Sequence, residues 1–370
     1  MAYDRIFIGI VVIICITLKK FTTMKLGKYS YYIFLLFTLL GCSKEKEVVV
    51  DKPQLPNPVS AFSIKQVAKD DPFTFEFTNQ SKDYTEARWS FGDDSTSSKT
   101  SPQHTFLGTG DFTVRLKVLN ENGDWAQREE VIKIDAEKLI RFNATKNGTG
   151  KLILSYASDI AVKVVTWSKM TDKDKYEQVS DKEKADISIE VGKFETYQLN
   201  VKTPKGSQIV VTKMLTDLGI IKDWTNIDNT FLISQDNSSG PDAGEGSKKL
   251  IDGDTRTKLF IGGYQSGMYW QFVFYQPQTI NGYTITTGND SPERDPKDWE
   301  IQASENGNSW VTLSSVTGYG FGTTPADRNK SVNFTFVNSK SYAYYRYVVK
   351  SVSSGSNFQM SEFRLLELPQ

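Results

Sequence analysis

Beyond residue 58 the chain alternates. Phe73, Phe75 and Phe77, then Phe112, Val114, Leu116 and Val118, then Tyr283 and Ile285, then Tyr345, Tyr347 and Val349 put an apolar side chain at every second position. That is the period of a strand with one buried face. Clusters of Gly, Asn, Asp and Ser punctuate these runs, and no convincing helical stretch follows residue 42. The pattern predicts an all-β chain. About 330 residues exceed what one sandwich core holds, so tandem β-sandwiches are expected.

The N-terminal residues are patterned differently. A basic head, Met24-Lys25-Leu26-Gly27-Lys28, precedes an apolar run from Tyr31 to Leu40 and then Leu39-Leu40-Gly41-Cys42. The run is too short to span about 30 Å of hydrocarbon and has the proportions of a signal-peptide core behind a positive head. It resembles a bacterial lipoprotein signal peptide, in which the cysteine is acylated and becomes the first residue of the mature protein. That resemblance implies a leader over 1–41 with its true start at Met24, and lipidation of Cys42. It also implies an extracytoplasmic protein held by its lipid at an outer membrane or cell surface. An ordinary membrane helix with a chance Gly-Cys is the alternative. Residues 42–58, charged and then Pro-spaced at Pro53, Pro56 and Pro58, are expected to form an extended spacer.

Composition excludes more than it proposes. Both cysteines, Cys15 and Cys42, lie in the leader region, so the body has neither a disulfide nor a thiol nucleophile. His104 is the only histidine, which removes His-based triads and most zinc sites. Lys+Arg and Asp+Glu both number 44, and no basic field argues for nucleic acid.

Three domains are expected after the spacer. Residues 59–135 carry Trp89-Ser90-Phe91-Gly92-Asp93-Asp94, then Pro102, His104 and Phe106, then Gly110, Phe112, Val114 and Leu116. This resembles a PKD domain, an Ig-like sandwich, departing from its pattern at Asp94, Phe106 and Phe112. His104 reads as a packing and hydrogen-bonding residue, and Asp93-Asp94 as turn chemistry. Residues 136–221 match no pattern, and an Ig-like or fibronectin-like sandwich acting as a spacer is the default. In this segment Trp167 is expected in the core and the charged stretch 171–184 as a loop or short helix.

Residues 222–370 carry the functional signal. Lys249 to Lys258 contains Asp252-Gly253-Asp254 and Thr257. Tyr269-Trp270-Gln271-Phe272, Trp299 to Trp310 and Gln359-Met360-Ser361-Glu362 follow in order. This resembles the discoidin, or factor V/VIII type C, family, whose jelly-roll-like fold is shared by family 32 carbohydrate-binding modules. Hard oxygens about a glycine turn suit Ca²⁺. By the resemblance, Asp252, Asp254, Thr257 and Glu362 are its expected ligands, structural in role. A metal-free turn held by Asx hydrogen bonds is the other reading. Trp299, Ile301 and Trp310 match core positions. The Gly- and Asn-flanked aromatics Tyr264, Tyr319, Phe321 and Phe358, with Asn357, suit stacking against a sugar face with amides reading hydroxyls. Arg294 is expected either to pair with Asp295 or to donate to sugar hydroxyls. The ligand residues so expected are Arg294, Tyr319, Phe321, Asn357 and Phe358.

These readings converge on a lipid-anchored, extracytoplasmic, non-enzymatic glycan-binding protein, with calcium as a structural cofactor. The alternative is a surface adhesin or assembly subunit that grips a protein partner through the same domain.

Overall fold

The computed structural model describes residues 54–172 and 175–370. The leader, Cys42 and most of the spacer lie outside the described residues. Among the described residues no helix is long and apolar enough to cross a membrane.

The described residues are β throughout, apart from a four-residue helix α1 (Ala136–Leu139), capped by the Asp135 side chain, and three short 3-10 turns. The first seven strands are β1 (Phe62–Ala68), β2 (Asp71–Asn79), β3 (Glu86–Ser90), β4 (Thr96–Ser97), β5 (Gln103–Thr105), β6 (Gly110–Leu119) and β7 (Trp125–Ile134). They form two facing sheets, β1-β2-β5 and β4-β3-β6-β7. The next eight are β8 (Ile140–Lys146), β9 (Lys151–Ser158), β10 (Val164–Asp172), β11 (Lys175–Ser180), β12 (Ala185–Ser188), β13 (Glu195–Lys202), β14 (Gln208–Thr216) and β15 (Gly219–Ile220). They form β12-β9-β8 and β11-β10-β13-β14-β15.

The two sandwiches share one topology. In each, the first, second and fifth strands make one sheet, and the fourth, third, sixth and seventh make the other, which β15 extends by a strand in the second sandwich. Trp89 on β3 and Trp167 on β10 occupy matching places. Each pairs with a leucine of the sixth strand, Leu116 or Leu199, and each is buried. Each indole N–H donates to a backbone carbonyl, Thr100 at 3.4 Å and Lys182 at 2.9 Å. A buried indole needs such an acceptor. The middle segment therefore takes the strand arrangement of a fibronectin-like sandwich.

Within the charged stretch 171–184, β11 is a strand and not a loop or short helix. It pairs with β10 (Met170 with Tyr176) as an outer strand. An edge strand with mostly solvent-facing positions tolerates charge and shows little apolar alternation.

Gly92 has φ +83, and a Cβ there would stand 2.7 Å from the Thr113 nitrogen, so only glycine fits the turn. His104 stacks on Phe91 (centroids 4.2 Å apart), and its Nε2 lies 2.7 Å from Asp93 Oδ2. Both residues hold the turn, as their sequence context implies. The first two sandwiches abut closely: Ser207 Oγ donates to the Phe106 carbonyl at 2.8 Å, and Lys205 Nζ meets Asp71 at 2.6 Å.

The last eleven strands are β16 (Lys222–Asp223), β17 (Asn229–Ile233), β18 (Leu259–Ile261), β19 (Tyr269–Gln278), β20 (Gly282–Thr286), β21 (Pro296–Ser304), β22 (Val311–Val316), β23 (Ser331–Thr335), β24 (Tyr342–Val352), β25 (Phe358–Met360) and β26 (Glu362–Glu367). A four-stranded sheet, β16-β26-β20-β23, faces a five-stranded one, β17-β19-β24-β21-β22, with β18-β25 as a short separate pair. Trp270, Phe272, Tyr283, Trp299, Tyr347 and Phe363 fill the space between the large sheets.

Register fixes where the loops go. Ile233 pairs with Trp270, Tyr269 with Val348, Pro296 with Val352 and Trp299 with Val316. The segments 234–258, 262–268, 287–295, 317–330 and 353–357 therefore all emerge at one end. The chain arrives from the middle domain at the other end, where Lys222 pairs with Glu367.

Candidate functional site at the loop end

The loop end is held by a buried polar frame. Arg328 donates to Asp295 through both terminal nitrogens, at 3.0 and 2.7 Å, and also to the carbonyls of Asp290 and Gly322. Asp295 is 1 % exposed, and burial pushes its carboxyl upward against the pull of Arg328. Lys258, also buried, donates to Asp290 at 2.7 Å and to Gln359 Oε1 at 3.2 Å. Gln359 Nε2 returns to the backbone carbonyls of Asp290 and Ser291. One frame thus ties the 287–295, 317–330 and 358–360 segments together. Asp295 stood out in the sequence only as a partner for Arg294; the side-chain pairs that form the frame were not legible, because their members lie more than thirty positions apart.

Of the expected ligand residues, Arg294 and Asn357 stand where a ligand can reach them. Asp295 is committed to Arg328, so Arg294 does not pair with it. The Arg294 guanidinium sits over the Phe260 ring, 5.1 Å from its centroid, half-buried. Its nearest acid is Glu293 at 3.7 Å, and its Nε makes no hydrogen bond. Asn357 Oδ1 accepts from Gly263 N at 3.1 Å, which leaves its amide N–H groups without a partner among the described residues. Tyr264, held by a backbone bond to Ser356, and Gln265, bonded to Gln235, complete the rim. Phe260 was not anticipated. The alternation Leu259-Phe260-Ile261, with Phe260 alone turned outward between two buried residues, was the available signal.

The structure corrects the reading of three aromatics. Phe358 is fully buried against Trp270, and Phe321 is 7 % exposed and stacks on Trp299 at 5.9 Å. Neither can stack on a sugar. Tyr319 is half-buried and packs edge-on against Trp299 and Phe334. The 319–321 turn is folded inward because it covers the open end of Trp299, so it closes the core. Trp310 departs in the opposite sense. It lies outside the sheet, half-buried beneath Arg346, and not in the core.

The Asp252 turn brings together part of its expected metal set. Thr257 Oγ1 donates to Asp252 at 2.9 Å and to the Asp254 carbonyl at 3.0 Å, and Gly253 N donates to Glu362 Oε1 at 2.5 Å. Glu362 is 2 % exposed, and its Oε2 lies 2.7 Å from Arg364 Nη2 in a geometry too skewed for a hydrogen bond. Burial, with the neighbouring Asp252 adding to it, pushes the Glu362 carboxyl up to about 8 despite Arg364. Burial also works against ionising Asp252, but hydrogen bonds from Asp254 N–H, Thr257 and Glu362 hold it below the usual range. A buried carboxyl and an exposed carboxylate thus stand side by side, oxygen donors of the kind a hard dication takes. Asp254 departs from the expected set: its carboxylate is taken by Arg256, Nε to Oδ1 at 2.7 Å. Among the described residues no three acidic, His or Cys side chains converge as a metal cluster.

Comparison with known proteins agrees with this anatomy. A PKD domain model matches residues 54–135, and an F5/8 type C domain model matches residues 234–363. No curated protein matches. Among solved structures, the chain is similar to the family 32 carbohydrate-binding module of Clostridium perfringens NanJ in complex with galactose, at 13% identity, covering 40% of this chain and 100% of that one, TM-score 0.33. It is similar to an F5/8 type C domain from Bacteroides fragilis at 18% identity, covering 40% and 97%, TM-score 0.33. It is also similar to the PKD1 domain of Vibrio anguillarum Epp at 23% identity, covering 22% and 98%, TM-score 0.20. The chain thus joins a PKD domain, through a second β-sandwich, to a C-terminal domain of the F5/8 type C family.

Proposed function

We propose that this is a glycan-binding protein, without catalytic function, whose sugar site is the loop end of its F5/8 type C domain. The observation that carries the reading is the half-buried Arg294 guanidinium laid on Phe260, its Nε turned inward and its terminal nitrogens in no hydrogen bond among the described residues, beside the free amide of Asn357. A planar donor fork, an amide and nearby aromatic rings are the groups that read sugar hydroxyls and C–H faces. The buried Asp295–Arg328 pair, and buried Lys258 paired with the exposed Asp290, hold these groups in place before a ligand arrives, which limits the ordering cost of binding.

The remaining parts of the proposal concern setting. Calcium held by Asp252, Thr257 and Glu362, with backbone carbonyls completing the shell, would tie the 251–257 turn to the start of β26. Acylated Cys42 would anchor the chain at an outer membrane or cell surface. The two abutting sandwiches would act as a stiff spacer presenting the loop end outward, opposite the chain's entry to the domain. Many such sites on one surface would compensate for weak single-site affinity.

Screening the full chain on a glycan array, alongside Arg294→Ala, tests the reading. Saccharide binding that the substitution removes supports it. Absence of any saccharide signal, with capture of a protein partner instead, would favour the adhesin alternative.

A further inference from the structure

The outward face of the five-stranded sheet carries a second constellation, remote in chemistry from the loop end. On a solvent-facing sheet, outward positions are ordinarily polar and mobile. Here Arg346 of β24 stands between Gln271 of β19 and Gln302 of β21, its direct cross-strand neighbours. Its guanidinium carbon lies 3.9 Å from the Trp310 ring centroid and 5.1 Å from that of Tyr269. Its Nε donates to Gln302 Oε1 at 2.7 Å, which fixes the plane of the fork.

No carboxylate touches the cation so fixed, although Glu300 acts on it through space. The nearby acid, Glu300, is engaged by Gln302 at 2.5 Å and by Lys350 at 3.2 Å. No carboxylate of the described residues forms an ion pair with Arg346. A half-buried, rigid guanidinium with its terminal nitrogens free matches a carboxylate or sulfate held in two parallel hydrogen bonds. Gln271, whose amide makes no hydrogen bond among the described residues, supplies a further donor and acceptor one strand away.

We propose that this face is a second binding surface, for an anionic polysaccharide chain lying across the strands with its acidic groups on Arg346. A protein partner fits less well. Interfaces of that kind bury a contiguous apolar core, whereas here the rings of Trp310 and Tyr269 are taken up by Arg346, and the exposed Leu232 and Tyr275 stand apart on β17 and the far part of β19. The proposal is independent of the loop-end reading, since no residue is shared.

The test is electrophoresis of the full chain through native gels containing polygalacturonate or dextran sulfate, against gels containing fully methyl-esterified pectin or plain dextran. Retardation by an acidic polymer and not by its neutral counterpart is expected, and the arm that retards distinguishes a carboxylated from a sulfated ligand. Arg346→Met, which keeps the stem on Trp310, should weaken the effect at least tenfold. Arg346→Lys, a charge without the fork, should weaken it less. Should Arg346→Met also unfold the domain, Gln271→Ala decides: a loss of about threefold sustains the site, and no loss overturns it. Equal retardation by neutral polymers, or an Arg346→Met chain that folds and binds as before, would also overturn the proposal. So would no retardation by either acidic polymer.

Discussion

Arg294 and Phe260 form a stacked pair at the loop end, although 34 positions separate them and they belong to different segments. Phe260 comes from the short β18–β25 pair, and Arg294 from the turn before β21. The ring gives the guanidinium a floor without consuming its hydrogen-bond donors. A cation–π contact of this kind contributes about 0.5–2 kcal/mol. Phe260→Ala should therefore lower saccharide affinity by about two- to thirtyfold while moving the melting temperature little, because Phe260 is only half-buried. Calorimetric titration beside a thermal melt separates the two effects. Full unfolding on this substitution would return Phe260 to a purely structural role.

The frame beneath that pair has a different signature. Arg328 and Asp295 are 8 % and 1 % exposed at the side chain. Removing one member leaves the other charged and buried, a loss of about 3–5 kcal/mol. Arg328→Ala should therefore raise hydrogen exchange in 288–295 and 320–330 and abolish sugar binding indirectly. Unchanged protection in those segments would show the frame to be dispensable.

Calcium binding to the folded chain alone would add about 2.7 kcal/mol at a hundredfold Kd. Adding calcium after chelation should raise the unfolding temperature of the C-terminal domain, and Asp252→Asn should remove the rise. Asp254→Asn should reduce it less, since Arg256 already holds that carboxylate. Identical melts with chelator and with saturating calcium would count against the site.

A pH effect belongs to the first domain. Burial raises the Asp93 carboxyl, but hydrogen bonds from Ser95 and His104 outweigh it and hold Asp93 below the usual carboxylate range. A depressed folded-state value means stability that is present above the unfolded value, near 3.9, and is lost as pH falls through the folded one. Asp93→Asn should accordingly lower the denaturation midpoint of this domain at pH 7, with the difference from the parent shrinking below about pH 4. A difference that stays constant down to pH 2 would contradict this assignment.

Much of the architecture was legible in the sequence because it is local. Period-two runs marked most strands, and Trp89, Phe91 and His104 carried the first domain's core and turn in one short stretch. What stayed illegible was long-range. A glycine-flanked aromatic such as Phe321 reads as an exposed loop residue until Trp299, more than twenty positions away, is seen to need a cover. Trp310 sits on a strand-turn pattern like that of a core residue, and only Arg346 across the sheet shows it facing out. Asp254 matched its motif, yet Arg256 two positions on captures it. At the candidate site, Arg294 and Asn357 were readable as donors, while their floor and frame were not.

The central claim is that sugar contacts the loop end through Arg294 and Asn357. NMR titration of the full chain with a saccharide found on the array, following the Arg294 Nε–H and Asn357 side-chain amide signals, tests it most directly. The account expects both signals to shift together and saturate at one Kd, with residues near Lys222 and Glu367 unmoved. Saturating shifts confined to other surfaces, with the Arg294 and Asn357 signals unchanged, would contradict it.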